Sequence, residues 1–276
     1  MRFEVALSIR NEHARYMDRL LPLVDAFEVI VDEPRLRQDS VRQQVMQLAG
    51  EKPVVFHSLD LSPASADLRR RPDVEDHLAA LERVMDASRS DLVTDHLSFG
   101  RVGATRLDNF VPAPFHDDTV GLVAENLTFL KSRLGEGREL GVENICYYLS
   151  WPENSLEEVA FLNAVLEQSG TVLLLDVNNL YVNAVNHRYD PYEFMAALQG
   201  DRVAAIHLAG HELQDGLLMD THSRPVGPGV WDLFDRALQT TAARRIILEW
   251  DFDFDADSLC DHLTEIGRRV SRQRRS

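Results

Sequence analysis

Cysteine is nearly absent: among 276 residues only Cys146 and Cys260 occur. That excludes a disulfide framework and a four-thiolate zinc site, so any metal must be held by nitrogen and oxygen. No run of about twenty apolar residues is present, which excludes a helical membrane span. The opening MRFEVALSIR lacks the charged-then-apolar profile of a signal peptide, and a cytoplasmic location is expected. Basic residues are outnumbered, 29 Lys and Arg against 45 Asp and Glu, and the net charge of -16 would repel a phosphate backbone. Neither nucleic acid nor membrane is expected as a partner. The first turn, LSIRNEHAR, has no glycine-rich phosphate cradle, which weakens a dinucleotide-fold reading. Internal repeats and low-complexity linkers are also lacking. The basic end, Arg268, Arg269, Arg272, Arg274 and Arg275, reads as a solvated helix terminus.

What the chain does have is alternation. Apolar, β-branched runs predict strands at 3–9, 26–32, 53–58, 92–97, 140–145, 171–177, 203–209 and 245–250. Between them lie stretches of helical period. Asp73–Ala87 carries the stripe Val74, Leu78, Leu81 and Val84 or Met85, and Thr119–Leu134 carries Leu122, Val123, Leu127 and Leu130. Asn154-Ser155 followed by Glu157 and Glu158 predicts a helix N-cap, and Gly170 predicts that helix's end. Strand and helix alternating through a chain of this length argue for a (β/α)8 TIM barrel forming a single domain over 1–276.

The ends of those runs carry the chemistry. PVVFH, LVTDH, LGVEN, TVLLLD, RVAAIH and RRIILE stop at or beside His57, His96, Glu143, Asp176, His207 and Glu249, and Asp220 and His222 follow in MDTHS. If the strands close a barrel, their carboxyl ends share one cup, the only arrangement in which residues so distant in sequence converge. Imidazoles mixed with carboxylates suit zinc, manganese or iron more than magnesium or calcium. Eight donors over-supply a single ion, so two or three ions with bridging carboxylates such as Glu143 and Glu249 are expected. A lone His or Asp at a strand end is more often a packing or capping residue. The joint pattern carries more weight, because carboxylates closing apolar runs are costly to bury without a cation or a partner.

Other polar residues stay outside that set. His211 is placed as a supporting hydrogen bonder or substrate contact, with a loop-packing role as the alternative. His187 is expected to fix a long loop after Asn178-Asn179, and His13, His77, His116 and His262 to be packed or solvated. Arg224, beside the Gly227-Pro228-Gly229 turn, could receive a substrate carboxylate or form a surface ion pair. Trp231, Trp151, Tyr147 and Tyr148 could line the mouth or simply be core, and Cys146 reads as a small buried side chain rather than a redox partner.

FEVIVDEP at 27–34, FHSLDLS at 56–62, TDHLSF at 94–99, ENICYYL at 143–149, LLLDVNNLYVNAVNHRYDP at 173–191, IHLAGH at 206–211, DTHSRPVGPGVWDLF at 220–234 and LEWD at 248–251 resemble the multinuclear non-haem iron-dependent oxidases that modify ribosomally made peptides. The resemblance implies a xylose-isomerase-like barrel holding two or three irons in mixed Fe(II)/Fe(III) state, with O2 as co-substrate. It implies that His57, His96, Glu143, Asp176, His207, Asp220, His222 and Glu249 fall on metal-ligand positions. Asn179 falls where related barrels place another ligand, and His211, Arg224 and Asn178 are expected either to contact substrate or to support the ligands by hydrogen bonds. The implied substrate is a precursor peptide, with cysteine as the modified residue, delivered by a separate recognition partner. ALSIRNEH, DHLSF and FVPAPFHDD depart from the family's pattern, but none of these departures touches an implied ligand. Two other classes remain open: a zinc or manganese hydrolase or sugar isomerase on the same barrel, and a non-catalytic metal-storing or partner-binding module.

Overall fold

A computed structural model describes residues 3–32, 36, 38–103 and 105–273. Its strands, in chain order, are β1 (Glu4–Ile9), β2 (Ala26–Val31), β3 (Val54–Ser58), β4 (Leu92–His96), β5 (Ser98–Val102), β6 (Thr105–Pro112), β7 (Glu139–Glu143), β8 (Val172–Asp176), β9 (Val203–Leu208), β10 (His211–Gln214), β11 (Leu217–Asp220) and β12 (Arg245–Leu248). Eight of them close a barrel in the order β1-β12-β9-β8-β7-β4-β3-β2. Strands covered on both faces need apolar side chains at successive positions rather than alternate ones. That is why Val54, Val55 and Phe56, or Leu173, Leu174 and Leu175, run together without exposure. Each such side chain contributes about 1.5–3 kcal/mol of burial. The expected (β/α)8 barrel is the observed fold, and each predicted strand agrees with its counterpart to within two residues.

The helices are α1 (Met17–Leu20), α2 (Asp39–Glu51), α3 (Val74–Ser88), α4 (Asp117–Lys131), α5 (Glu158–Ser169), α6 (Val177–His187), α7 (Pro191–Ala197), α8 (Pro228–Thr240) and α9 (Ala256–Gln273). The stripe expected of 73–87 is buried in α3. In α4 Val123, Leu127 and Leu130 are buried whereas Leu122 is half-buried. This helix starts two residues before the predicted Thr119, because His116 caps it and accepts the Asp118 N–H at 3.2 Å.

Two expectations need correction. Asn154-Ser155 does not cap α5, which begins at Glu158 after Glu157. The Asn154 side chain instead accepts the Phe115 N–H at 2.8 Å and ties down a loop. The stretch after Asn178-Asn179 is no loop: 177–187 is α6, with His187 as its last residue. Asp176 nucleates it by accepting the Asn179 N–H at 2.7 Å, an N-cap bond. Gly170, by contrast, ends α5 as expected, in the left-handed conformation at φ 64° that glycine adopts without penalty. Of the basic terminus, Arg274 and Arg275 lie outside the described residues, as do Glu33 and Pro34 of FEVIVDEP.

The chain divides into two compact units, Met1–Glu28 with Leu174–Ser276, and Val29–Leu173. In the second, β3, β4 and β7 pair in parallel, and the register sets His96 level with Glu143 and His57 level with Thr94. A β5–β6 hairpin follows β4. In the first unit, β1, β12 and β9 pair in parallel, with Leu7 beside Leu248 and Ile247 beside His207. A β10–β11 hairpin there sets His211 opposite Asp220. Gly210 just before it has no room for a side chain, since a Cβ would lie 1.9 Å from the Arg224 carbonyl oxygen.

Candidate metal centre

In the 29–173 unit, His57, His96 and Glu143 each offer a ligand atom within 4.8 Å of the others. Parallel pairing brings them together, because each closes its strand or lies one residue from its end. His57 and Glu143 are buried at 2% exposure each. His57 Nδ1 sits 2.7 Å from Thr94 Oγ1, whose own hydroxyl points at the Phe56 carbonyl. That assigns the Nδ1 proton to the Thr94 contact and leaves a lone pair on Nε2. This Nε2 faces Glu143 Oε2 at 3.3 Å, and His96 Nε2 faces the same oxygen at 3.4 Å. Electron-rich atoms converging in a buried place are what a cation would hold together.

The surroundings of this cluster are neutral or rigid. The His96 ring stacks on Phe110 of β6 with centroids 3.7 Å apart. Asp95, one residue before His96, has its Oδ1 3.9 Å from His96 Nδ1 and accepts the N–H groups of Leu61 at 2.8 Å and His96 at 2.6 Å. Burial pushes its carboxyl up to about 8 despite those two donors.

In the other unit the donor set is richer in acid. Asp176, His222 and Glu249 offer ligand atoms within 4.8 Å of one another. His207 is fully buried, and its Nε2 lies 3.1 and 3.0 Å from the two oxygens of Glu28. Donation to Glu28 leaves the Nδ1 lone pair facing Glu249 Oε2 at 3.3 Å and Asp176 Oδ2 at 3.8 Å. His222 Nε2 lies 2.8 Å from Asp220, and its Nδ1 is 3.5 Å from both Glu249 and Asp251. Burial alone would lower the His222 pKa. The charges of Asp220 and Glu249 outweigh it and hold that imidazole well above its usual value. The same pairing holds Glu249 well below the carboxylate range against its own burial. Without an ion, a proton on His222 supplies the positive charge this group of carboxylates demands. His222 takes a left-handed backbone at φ 49°, uncommon for a residue with a side chain. Its N–H is held by the Gly210 carbonyl at 3.0 Å and its own carbonyl by Asp251 N–H at 2.8 Å.

Residues placed around the substrate also find partners here. Asn178 donates to Asp220 at 2.7 Å and meets His211 Nδ1 at 2.7 Å, so a chain of polar contacts runs from His211 to His222. Burial lowers the His211 pKa. Asn179 is buried beside Asp176. Arg224 is paired with Glu212 at 2.5 Å and stays 55% exposed, the surface ion pair of the two readings. His13 and His77 are packed inside, and His262 lies between Trp231 and Trp250. Tyr147 is buried, Tyr148 exposed, and Cys146 half-buried with its thiol 3.2 Å from the Tyr148 hydroxyl. Sequence reasoning missed Glu28, Arg10 and Asp251. Only Glu28 left a signal, an acid inside the apolar run AFEVIV.

A parallel eight-stranded barrel whose strand ends gather histidines and carboxylates defines the class: a xylose-isomerase-like TIM barrel with residues suited to hold metal. The fold matches D-psicose 3-epimerase of Clostridium cellulolyticum (TM-score 0.64, 11% identity, covering 97% of this chain and 99% of that one). It likewise matches endonuclease IV of Thermus thermophilus (TM-score 0.60, 17% identity, covering 98% and 99%). More specifically, the chain belongs to the family of the RiPP precursor modification enzyme MbnB/TglH/ChrH, whose profile it matches over residues 4–270. A UPF0276 protein of Acaryochloris marina is 35% identical over 247 residues, 90% of this chain and 87% of that protein. Among the described residues no helix is long and apolar enough to cross a membrane.

Proposed function

We propose that this chain is an O2-dependent non-haem iron enzyme that oxidatively modifies a cysteine of a ribosomally made precursor peptide. The observation that supports it most is the pair of buried histidine–carboxylate clusters in a chain whose family modifies such precursors. His57, His96 and Glu143 hold one iron. Asp176, His207, His222 and Glu249 hold another, with Asn179 adding an amide oxygen and Asp220 a further carboxylate against His222. Iron bound there supplies the redox chemistry and the affinity for O2 and thiolate that this polypeptide lacks.

The remaining work is positioning. Thr94 and Glu28 each fix one ring nitrogen of a histidine, so that the other presents its lone pair. Asn178 and His211 form a polar contact chain beside His222 where a peptide amide or carboxylate would be received. A separate recognition protein delivers the precursor.

The test is the metal content of protein purified without oxygen, together with Mössbauer spectra of an iron-57 sample and oxygen uptake with the precursor added. Two or more irons per chain in mixed valence, with oxygen consumed only when peptide is present, are expected. Zinc or manganese without oxygen uptake would instead favour a hydrolase or isomerase, as carried on the same fold by the epimerase and the endonuclease. Co-purification of a small partner supports the delivery step, and full modification of isolated peptide by this chain alone refutes it.

A further inference from the structure

We propose that Arg10 is a positioning residue of the acid-rich cluster: it holds one oxygen of Glu249, so that this carboxylate meets a metal through its other oxygen only. The proposal rests on the metal-centre reading above and concerns the same site. Arg10 follows β1, and strand register brings it there. With Leu7 level with Leu248, three further residues along each strand bring Arg10 level with Asp251. Its Nη2 lies 2.5 Å from Glu249 Oε1 and 2.7 Å from Asp251 Oδ1, with the side chain 13% exposed. Nη1 donates to Ser8 Oγ at 2.8 Å and lies 3.3 Å from the Ile9 carbonyl, and the Arg10 N–H is accepted by His13 Nδ1 at 3.0 Å. The guanidinium is therefore anchored from its own strand before it reaches the carboxylates.

The two oxygens of Glu249 are thereby given different partners. Oε1 faces Arg10, whereas Oε2 faces His207 Nδ1 at 3.3 Å and His222 Nδ1 at 3.5 Å. A carboxylate free on both sides could close on an ion with both oxygens and fill two coordination positions. Held by a fixed guanidinium, it would offer one oxygen only. The charge-assisted contact also draws electron density from Glu249 and weakens it as a donor. Lysine reproduces this only in part: its single ammonium could meet both carboxylates as Nη2 does, but it lacks the second nitrogen by which Nη1 anchors the charge to Ser8 and the Ile9 carbonyl.

A structural ion pair joining β1 to β12 would also hold Arg10 here, so the test needs a readout that mere stapling does not move. Anaerobic titration of the full-length wild type, R10K and R10Q with Co(II), followed through its visible absorption bands, supplies one, and thermal melts of each variant report folding separately. For R10Q, bands weakened and shifted toward higher coordination number are expected, with Co(II) affinity raised rather than lowered, because the freed carboxylate can close on the ion with both oxygens and no longer shares its charge with Arg10. R10K should shift in the same direction by less. A folded R10Q with wild-type affinity and bands overturns the proposal. If R10Q fails to fold, wild-type bands in R10K overturn it equally. A wild-type protein that takes up no Co(II) or Fe(II) at all would refute the metal-centre reading itself, a failure visible before any variant is made.

Discussion

The two clusters use the same residue types in different proportion. His57, His96 and Glu143 bring one carboxylate to two imidazoles, and their supports are a threonine hydroxyl and a phenyl face. His207 and His222 stand instead among Glu28, Asp176, Asp220, Glu249 and Asp251, with Arg10 as the cation paired to two of these acids. With neutral imidazoles, and with the Asp95 carboxyl beside His96 kept protonated by its burial, the first group carries a formal charge of -1 and the second, five acids against one arginine, -4. Opposite charges interact far more strongly in a buried site than in water, so such a difference would select between oxidation states of a redox metal held there. If iron fills both, as proposed, the acid-rich cluster would suit the more highly charged ferric ion and the histidine-rich one a ferrous ion.

The harshest test of that division removes one ligand from each side. Glu249→Ala takes away the oxygen that both His207 and His222 face, and His96→Ala takes away one of the two imidazoles on Glu143. Each should lose about one metal per chain and essentially all turnover, with E249A losing the ferric signal and H96A the ferrous one in Mössbauer spectra. Loss of the same signal from both variants would break the comparison.

A finer version alters only the supports. Glu28→Gln keeps the size but removes the charge that holds His207 Nε2, and Thr94→Val removes a neutral acceptor from His57 Nδ1. Supports of this kind are worth about 10–100-fold in metal affinity. E28Q should lie at the upper end and T94V at the lower, because a hydrogen bond to a charged group is roughly twice as strong as a neutral one. Equal losses in Fe(II) titrations would show that charge outside the ligand set does not distinguish the clusters.

The sequence was most legible where the physics is one-dimensional. Strands buried on both faces are continuous apolar runs, so RVAAIH and TVLLLD announce both the element and the candidate ligand at its end. The β5–β6 and β10–β11 hairpins were not foreseen, since HELQ and LLMD are only four residues each, yet they place Phe110 and Asp220 at the clusters. The segment VNNLYVNAVNH contains four asparagines and reads as loop. It is helical because Asp176 caps it and because Asn178, Asn179 and Asn183 are buried, where tertiary contacts outweigh propensity. Arg10 and Asp251 could not be read at all, because their meeting depends on strand register between chain ends.

Each unit also encloses a neutral histidine away from the ligands, His13 in one and His77 in the other. Burial lowers both to about 4, with Arg10 adding to the effect at His13. A histidine whose folded pKa is depressed binds fewer protons folded than unfolded. Its stability contribution is therefore complete above about 6.5 and is lost as pH falls toward 4, at no more than about 1.4 kcal/mol per pH unit for each residue. Urea unfolding at pH 7.5 and pH 5 should show that loss. His77→Leu should flatten the slope by one proton, and an unchanged slope would mean that other groups dominate.

The smallest effect contrasts two glycines. Gly267 lies within α9 with nothing inside 4 Å of a built Cβ, whereas a Cβ on Gly210 would strike backbone at 1.9 Å. Gly267 has no strained conformation to protect, so Gly267→Ala only narrows the unfolded ensemble and should stabilise by about 0.5–1 kcal/mol. Gly210→Ala must push away the strand of chain that carries Asp220 and His222, since Gly210 also supplies the carbonyl that accepts the His222 N–H. Measured side by side in urea, G267A should raise the midpoint without touching metal affinity, and G210A should lower both. A G210A protein that kept its Fe(II) affinity would show that the left-handed His222 backbone is set by Asp251 rather than by the Gly210 contact.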